Sequence, residues 1–298
     1  MMMAARGERD RNKRRLCGAL IVTASFFVIE VAGGLLSGSL ALVADATHMF
    51  SDVGALILAY AAMTLATRAP TSRYSFGFYR AEILATFVNA EILLVISGFI
   101  FYESYRRFYQ PPEVATDIMM WAALAGLGAN LVSMRLLHGA HRHSMNIRAA
   151  YLEVVADTVG SIGVIVTSIT MARTGWYWLD SVVSAGIGLF IVGRTVSLLK
   201  QSGHILLEGT PLELDVAALT RQIHLVPGVE ELHDLHVWTL TSGLNAASLH
   251  IRIAEDGQGQ EALMAVQRVL RESAGVEHAT IQVEWGSPGT CERSELRF

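Results

Sequence analysis

The chain has 298 residues, of which 52% are hydrophobic and only 17% charged, and a formal net charge of −4. That length holds one membrane domain and one small soluble domain, and no basic tract is long enough to track phosphates, so no nucleic-acid partner is expected. Two cysteines at opposite ends, Cys17 and Cys291, give neither a disulfide framework nor a CxxC metal motif.

Residues 1–15 form a basic N-terminal segment holding Arg6, Arg9, Arg11, Lys13, Arg14 and Arg15. The apolar run that follows continues without a small-residue cleavage site, so an uncleaved first span is expected rather than a signal peptide. Stretches long enough to cross a bilayer, about 20 residues each, fall near 16–36, 40–66, 80–104, 115–137, 149–172 and 178–199. The fold class expected for 16–205 is a membrane domain of six transmembrane helices. Lys and Arg favour one side of this layout. Besides the basic N-terminus, that side has Arg68, Arg73 and Arg80 between spans two and three, Arg135, Arg142 and Arg148 around the fourth loop, and Lys200 after span six. The other side has Arg106, Arg107 and Arg173. The first side is therefore cytoplasmic, and an even number of spans puts both termini there.

Beyond residue 205 charges return. "LDVAALTRQIHLV" has helical periodicity and ends at the turn signal Pro227-Gly228. "VEELHDLHVWTLTS" and "LNAASLHIRIAE" alternate as strands, "QEALMAVQRVLRESA" is an amphipathic helix, and "EHATIQVEW" is a last strand. The order α-β-β-α-β predicts a small cytoplasmic α+β domain over 206–286, ferredoxin-like, with helices on one face of an antiparallel sheet. Residues 287–298 read as a flexible tail.

Within span two the segment "DATHMFSD" places Asp45, His48 and Asp52 in sequence that otherwise reads as lipid-soluble. Ionisable groups at that depth are costly and point to function. His48 and Asp52 are spaced i, i+4, on one helix face, and Asp45 is three residues before His48. Span five repeats the spacing with Glu153 and Asp157. Each residue alone could be packing glue between helices. Two matched pairs on separate spans can close a four-ligand N/O cage suited to a tetrahedral divalent ion such as zinc. No Lys or Arg is expected in the core to balance these groups, so they require either a metal ion or protons. Asp45 is expected to act as a proton relay or as a partner that orients a ligand. Other polar residues within spans are Glu30, Asn89, Glu91, Asn130 and Asp180, the last opening span six where an acid favours a helix N-terminus.

The segments "LALVADATHMFSDVGAL", "RYSFGFYRAEILATFVNA", "YLEVVADTVGSIGVI" and "LLEGTP…HDLHVWTLTSGLNAASLH" resemble the cation diffusion facilitator family, near its zinc-transporter branch, over almost the whole chain. The resemblance implies a bacterial-type exporter in the inner membrane, a homodimer with six spans per protomer, which exchanges cytoplasmic divalent metal for protons. His48, Asp52 and Asp157 match family ligands. Glu153 stands where zinc-selective members carry His, which makes the site harder and widens its expected range from zinc toward cadmium and cobalt. In the tail, the resemblance implies a regulatory or dimer-bridging metal held by His236, His250 and Glu284, with His233 next. The loop "LLHGAHRHSMN", with His138, His141 and His143, can capture metal weakly or simply be solvated. The rival functions are a membrane-anchored metal sensor and a membrane-bound metalloenzyme; against the enzyme, no nucleophile or oxyanion motif accompanies the cage.

Overall fold

In a computed structural model the described residues are 21, 24–50, 54, 65, 70–137, 145–241, 243–253 and 259–285; for residues 145–150 and Glu153 only the backbone is described. Segments 1–15 and 287–298, Asp52 and the histidines of 138–143 lie outside them. The chain divides into two compact units, one of Met1–Ile57 with Val88–Leu198, the other of Leu58–Phe87 with Leu199–Phe298.

The first unit is helical. Its described helices are α1 (Ala24–Ser37), α2 (Leu40–Phe50), most of α3 (Ala81–Tyr109), α4 (Thr116–Leu137), α5 (Met145–Thr174) and most of α6 (Trp178–Leu206). Four of these, in α3, α4, α5 and α6, are long and apolar enough to cross a membrane; α1 and α2 are shorter apolar helices over their described lengths. Helix α6 runs past the expected end near 199 to Leu206, because no Gly-Pro signal interrupts it before Gly209 and Pro211.

Small residues let these helices approach closely. A Cβ added at Gly33 on α1 would stand 2.5 Å from the Ala122 Cβ on α4. The face of Gly126 is filled by the Phe26 ring in the same way, 2.1 Å from where a Cβ would be. Around this contact Ala41, Leu42, Met119, Ala123, Val164 and Met171 form a buried apolar cluster that joins α2, α4 and α5.

The break between α1 and α2 fixes where α2 begins. Gly38 has φ 71°, the left-handed conformation that ends a helix and that glycine adopts without a Cβ clash. Its carbonyl accepts a 2.6 Å hydrogen bond from the Arg107 guanidinium, which also donates to Glu103. Ser39 then caps α2, its Oγ accepting from the Leu42 amide at 3.3 Å. The buried Asp180 carboxylate of α6 accepts from the Ser39 hydroxyl at 2.6 Å and from the Leu40 and Ala41 amides at 2.7 and 3.2 Å. The acid expected to favour its own helix N-terminus therefore satisfies the first turn of a different helix, the one that carries Asp45 and His48.

The second unit holds the end of α6, then α7 (Val216–His224), β1 (Val229–Thr241), β2 (Leu244–Ile253), α8 (Gly259–Ala274) and β3 (Val276–Trp285). Asp215 caps α7 by accepting from the Ala218 amide at 3.0 Å. The sheet has the order β1-β2-β3. The pair β1-β2 is antiparallel, joined by a tight turn, but β2-β3 is parallel. The sheet is thus mixed, not antiparallel as expected. A helix between two strands of one sheet makes a crossover, and α8 returns the chain to the end from which β2 started. Ala247, Leu249, Ile251 and Ile253 of β2 alternate into a core shared with Leu219 and Ile223 of α7 and Val266 and Leu270 of α8. His250 stands on the other face. In this unit the start of α3 also meets the sheet, where the Thr241 hydroxyl donates to the Glu82 carboxylate at 2.7 Å.

The Asp180 cap generates a prediction. Asp180→Ala removes three acceptor bonds at a buried helix start, so it should lower stability by about 1–3 kcal/mol, with Asp180→Asn falling between it and the parent. Thermal unfolding of the detergent-solubilised protein measures this, and an unchanged midpoint for the alanine variant would contradict the assignment.

Candidate metal sites

Helices α2 and α5 bring two of the expected membrane ligands together. His48 Nε2 lies 3.6 Å from Asp157 Oδ1, and His48 is buried. Two N/O atoms bound at about 2.0–2.1 Å to one tetrahedral ion stand about 3.3–3.4 Å apart, so this pair is spaced like one edge of such a coordination shell. Glu153 lies on the helical backbone of α5 one turn before Asp157; its side chain, and Asp52, are outside the described residues.

Asp45, buried one turn before His48, faces α5 where that helix carries Gly160; a Cβ there would lie 3.9 Å from Asp45 Oδ1. Glu30 of α1 is buried beside Asp45, and its Oε2 has no hydrogen-bond partner among the described residues. Three carboxylates and an imidazole thus gather where α1, α2 and α5 meet. The sequence marked Glu30 only as one of several polar residues within spans.

A cation stands beside this group, exposed rather than in the core. The Arg194 guanidinium of α6 places Nη1 3.5 Å from His48 Nε2. Phe190, one turn earlier on α6, sets its ring edge-on to the His48 imidazole with centroids 6.3 Å apart. The i, i+4 spacing of Phe190 and Arg194 was readable in the sequence. Its meaning was hidden because an Arg near the end of an apolar run ordinarily snorkels toward the interface.

A second group lies on the sheet of the other unit. His233 of β1 is in register with His250 of β2. Glu284 of β3 reaches both, with Oε2 3.3 Å from His233 Nε2 and Oε1 3.2 Å from His250 Nδ1. One ligand atom from each of the three lies within 4.8 Å of the others. His233 Nε2 is buried without a hydrogen-bond partner among the described residues, although a carboxylate oxygen stands close. Two imidazoles and a carboxylate are a donor set suited to zinc.

His236, expected among the ligands, is not in this group. A bulge separates it from His233, since three residues on β1 answer two on β2 between His233↔His250 and His236↔Ser248. Asp234 sits in the bulge with φ 53°. Its Oδ1 accepts from His236 Nε2 at 3.0 Å, and its Oδ2 lies 3.8 Å from His250 Nε2. His236 therefore touches the Asp234 carboxylate that also approaches His250. Strand alternation in a sequence cannot reveal a bulge of this kind.

Two family models match the chain: "Cation efflux transmembrane domain" over residues 16–207 and "Cation efflux protein, cytoplasmic domain" over 211–285. The metal cation efflux system protein CzcD of Cupriavidus metallidurans is 42% identical over 95% of this chain and 89% of its own length. The zinc transporter ZitB of Escherichia coli is 41% identical over 93% and 88%. The cadmium, cobalt and zinc/H(+)-K(+) antiporter of Bacillus subtilis is 38% identical over 92% and 89%. A solved structure titled as the metal-bound C-terminal domain of the CzcD transporter is 35% identical over 24% of this chain and 99% of its own, with a TM-score of 0.23.

The geometry on the sheet ranks its histidines. On the full chain, His233→Ala should weaken zinc binding at this cluster at least tenfold, and His236→Ala should weaken it less, since it acts through Asp234. Titration calorimetry with zinc, in an Asp157→Ala background that silences the membrane group, makes the comparison. Equal losses would mean that His236 ligates directly.

Proposed function

Because the chain belongs to the cation efflux family, whose members are transporters rather than enzymes, we propose that it exports divalent metal from the cytoplasm in exchange for protons. Zinc is the first substrate; cadmium and cobalt are co-substrates. The observation that carries the reading is the convergence of His48 Nε2 and Asp157 Oδ1, 3.6 Å apart on α2 and α5. Asp52 and Glu153, each one helical turn from one of this pair, complete a tetrahedral cage in this reading.

Metal binds that cage when His48 is neutral and the carboxylates are ionised. Protons arriving from the far side occupy the same atoms and release the metal outward. Asp45, buried between His48 and Glu30, serves as the relay. Carboxylate in place of imidazole at position 153 leaves the cage harder than a two-histidine site, which supports the wider metal range.

The arrangement extends to the whole chain. In this reading α1 and α2 are the first two of six spans, and the protein sits in the bacterial inner membrane with both termini in the cytoplasm. The α-β-β-α-β unit over 206–286 is a cytoplasmic ferredoxin-like domain through which two protomers pair. His233, His250 and Glu284 would hold a regulatory metal there, and Asp234 would orient His250. A metal sensor is the remaining rival, and transport across a sealed bilayer separates the two.

Two predictions test this reading. In proteoliposomes, Asp157→Ala or Asp52→Ala should reduce zinc flux at least a hundredfold while the protein stays folded, because loss of one ligand opens the cage and leaves its charges uncompensated. Normal flux by either purified variant would sink the transport-site assignment. Glu153→His should shift preference toward zinc over cadmium and cobalt; an unchanged order in competition flux would remove Glu153 from selectivity.

A further inference from the structure

Arg194 lies against the ligand pair, and nothing in the transport reading so far uses it. Its Nη1 is 3.5 Å from His48 Nε2, the same atom that faces Asp157 Oδ1 at 3.6 Å. A guanidinium has only donors, so a hydrogen bond between the two requires Nε2 to present its lone pair and the imidazole proton to reside on Nδ1. Asp157 is an acceptor as well. Two acceptors close to one another, with a cation beside them, is the arrangement a metal ion would impose.

We propose that Arg194 is a tethered counter-cation that occupies the His48 lone pair in the metal-free protein and must swing away for metal to bind. The proposal rests on the transport-site reading above and adds a specific role for α6. It follows from the charges gathered at the site. Glu30, Asp45 and Asp157 come together with one imidazole, and on their own they would repel one another strongly in a low-dielectric interior. A cation supplied by the protein stabilises the site when it is empty. The same cation opposes an incoming divalent ion, by holding a ligand atom and by like charge. That opposition sets metal affinity low enough for release, which a carrier needs as much as binding.

The placement fits such motion. Arg194 is on α6, whereas the ligands are on α2 and α5, so a small shift of α6 relative to the other two moves the guanidinium without moving the cage. Its long flexible stem allows the head group to withdraw while the helix stays packed. Phe190 sets its ring edge-on to the imidazole.

The test uses the full chain with His233→Ala, His250→Ala and Glu284→Ala, so that zinc binding reports the membrane site. Above the titration range of histidine, Arg194→Gln should bind zinc at least tenfold more tightly and turn over more slowly in proteoliposomes. Arg194→Lys keeps the charge and should remain within about threefold of the parent. Equal or weaker zinc binding by the glutamine variant overturns the proposal. A second readout needs no variant of Arg194. A small arginine-specific dicarbonyl, followed by mass spectrometry, should modify Arg194 faster when zinc is bound, and an unchanged or slower rate also overturns the proposal. An Asp157→Ala control that loses flux while Arg194→Gln matches the parent in both affinity and turnover would reject the role of Arg194 alone. An Asp157→Ala control that transports normally would reject the site itself.

Discussion

Ionised groups held together away from water must be compensated, and this constraint orders the membrane unit. Glu30, Asp45, His48 and Asp157 gather at the meeting of three helices, where the carboxylates repel one another. Such a group persists only if a cation, a proton or a metal shares it. Arg194 supplies one such cation at His48. A site of this kind exchanges one positive charge for another, and that exchange is the elementary step of antiport.

The rest of the unit serves to hold the group in place. Close contact between α1 and α4 depends on Gly33 and Gly126, and the buried cluster of Leu42, Met119, Val164 and Met171 joins α2 to α4 and α5. The start of α2 is fixed from α6 by Asp180 and from α3 by Arg107 through the Gly38 carbonyl. A tilt of α2 about that pinned end would move Asp45 and His48 most. The network at one end of the helix and the charges along it are therefore mechanically linked: one end is rigid, and the exchange takes place beyond it.

Much of this was legible in the sequence, for physical reasons. Matched i, i+4 pairs are a local pattern, so the helix face shared by Glu153 and Asp157 could be read without knowing the fold, and the pairing of His48 with Asp157 followed from two such patterns on separate spans. The tail strands and helices likewise have strong local periodicity. What the sequence hid depends on distant partners. Arg194 carried no signal in the sequence because its neighbour His48 is 146 residues away. Asp180 read as a cap for its own helix, yet it serves α2. The parallel β2-β3 pair was signalled by the helix between the strands, and the expectation of an antiparallel sheet gave that connection too little weight. His236 ranked ahead of His233 in the expected ligand set, and one extra residue at Asp234 puts His233 in register with His250.

The measurement closest to the central claim is X-ray absorption at the zinc edge on the metal-loaded full chain carrying His233→Ala, His250→Ala and Glu284→Ala. The spectrum reports directly what surrounds the ion in the membrane unit. The account predicts retained zinc in a four-coordinate shell of nitrogen and oxygen at about 2.0–2.2 Å, with the outer-shell signature of a single imidazole and no sulfur. Loss of the metal, a six-coordinate oxygen shell, or the signature of two or more imidazoles would contradict it.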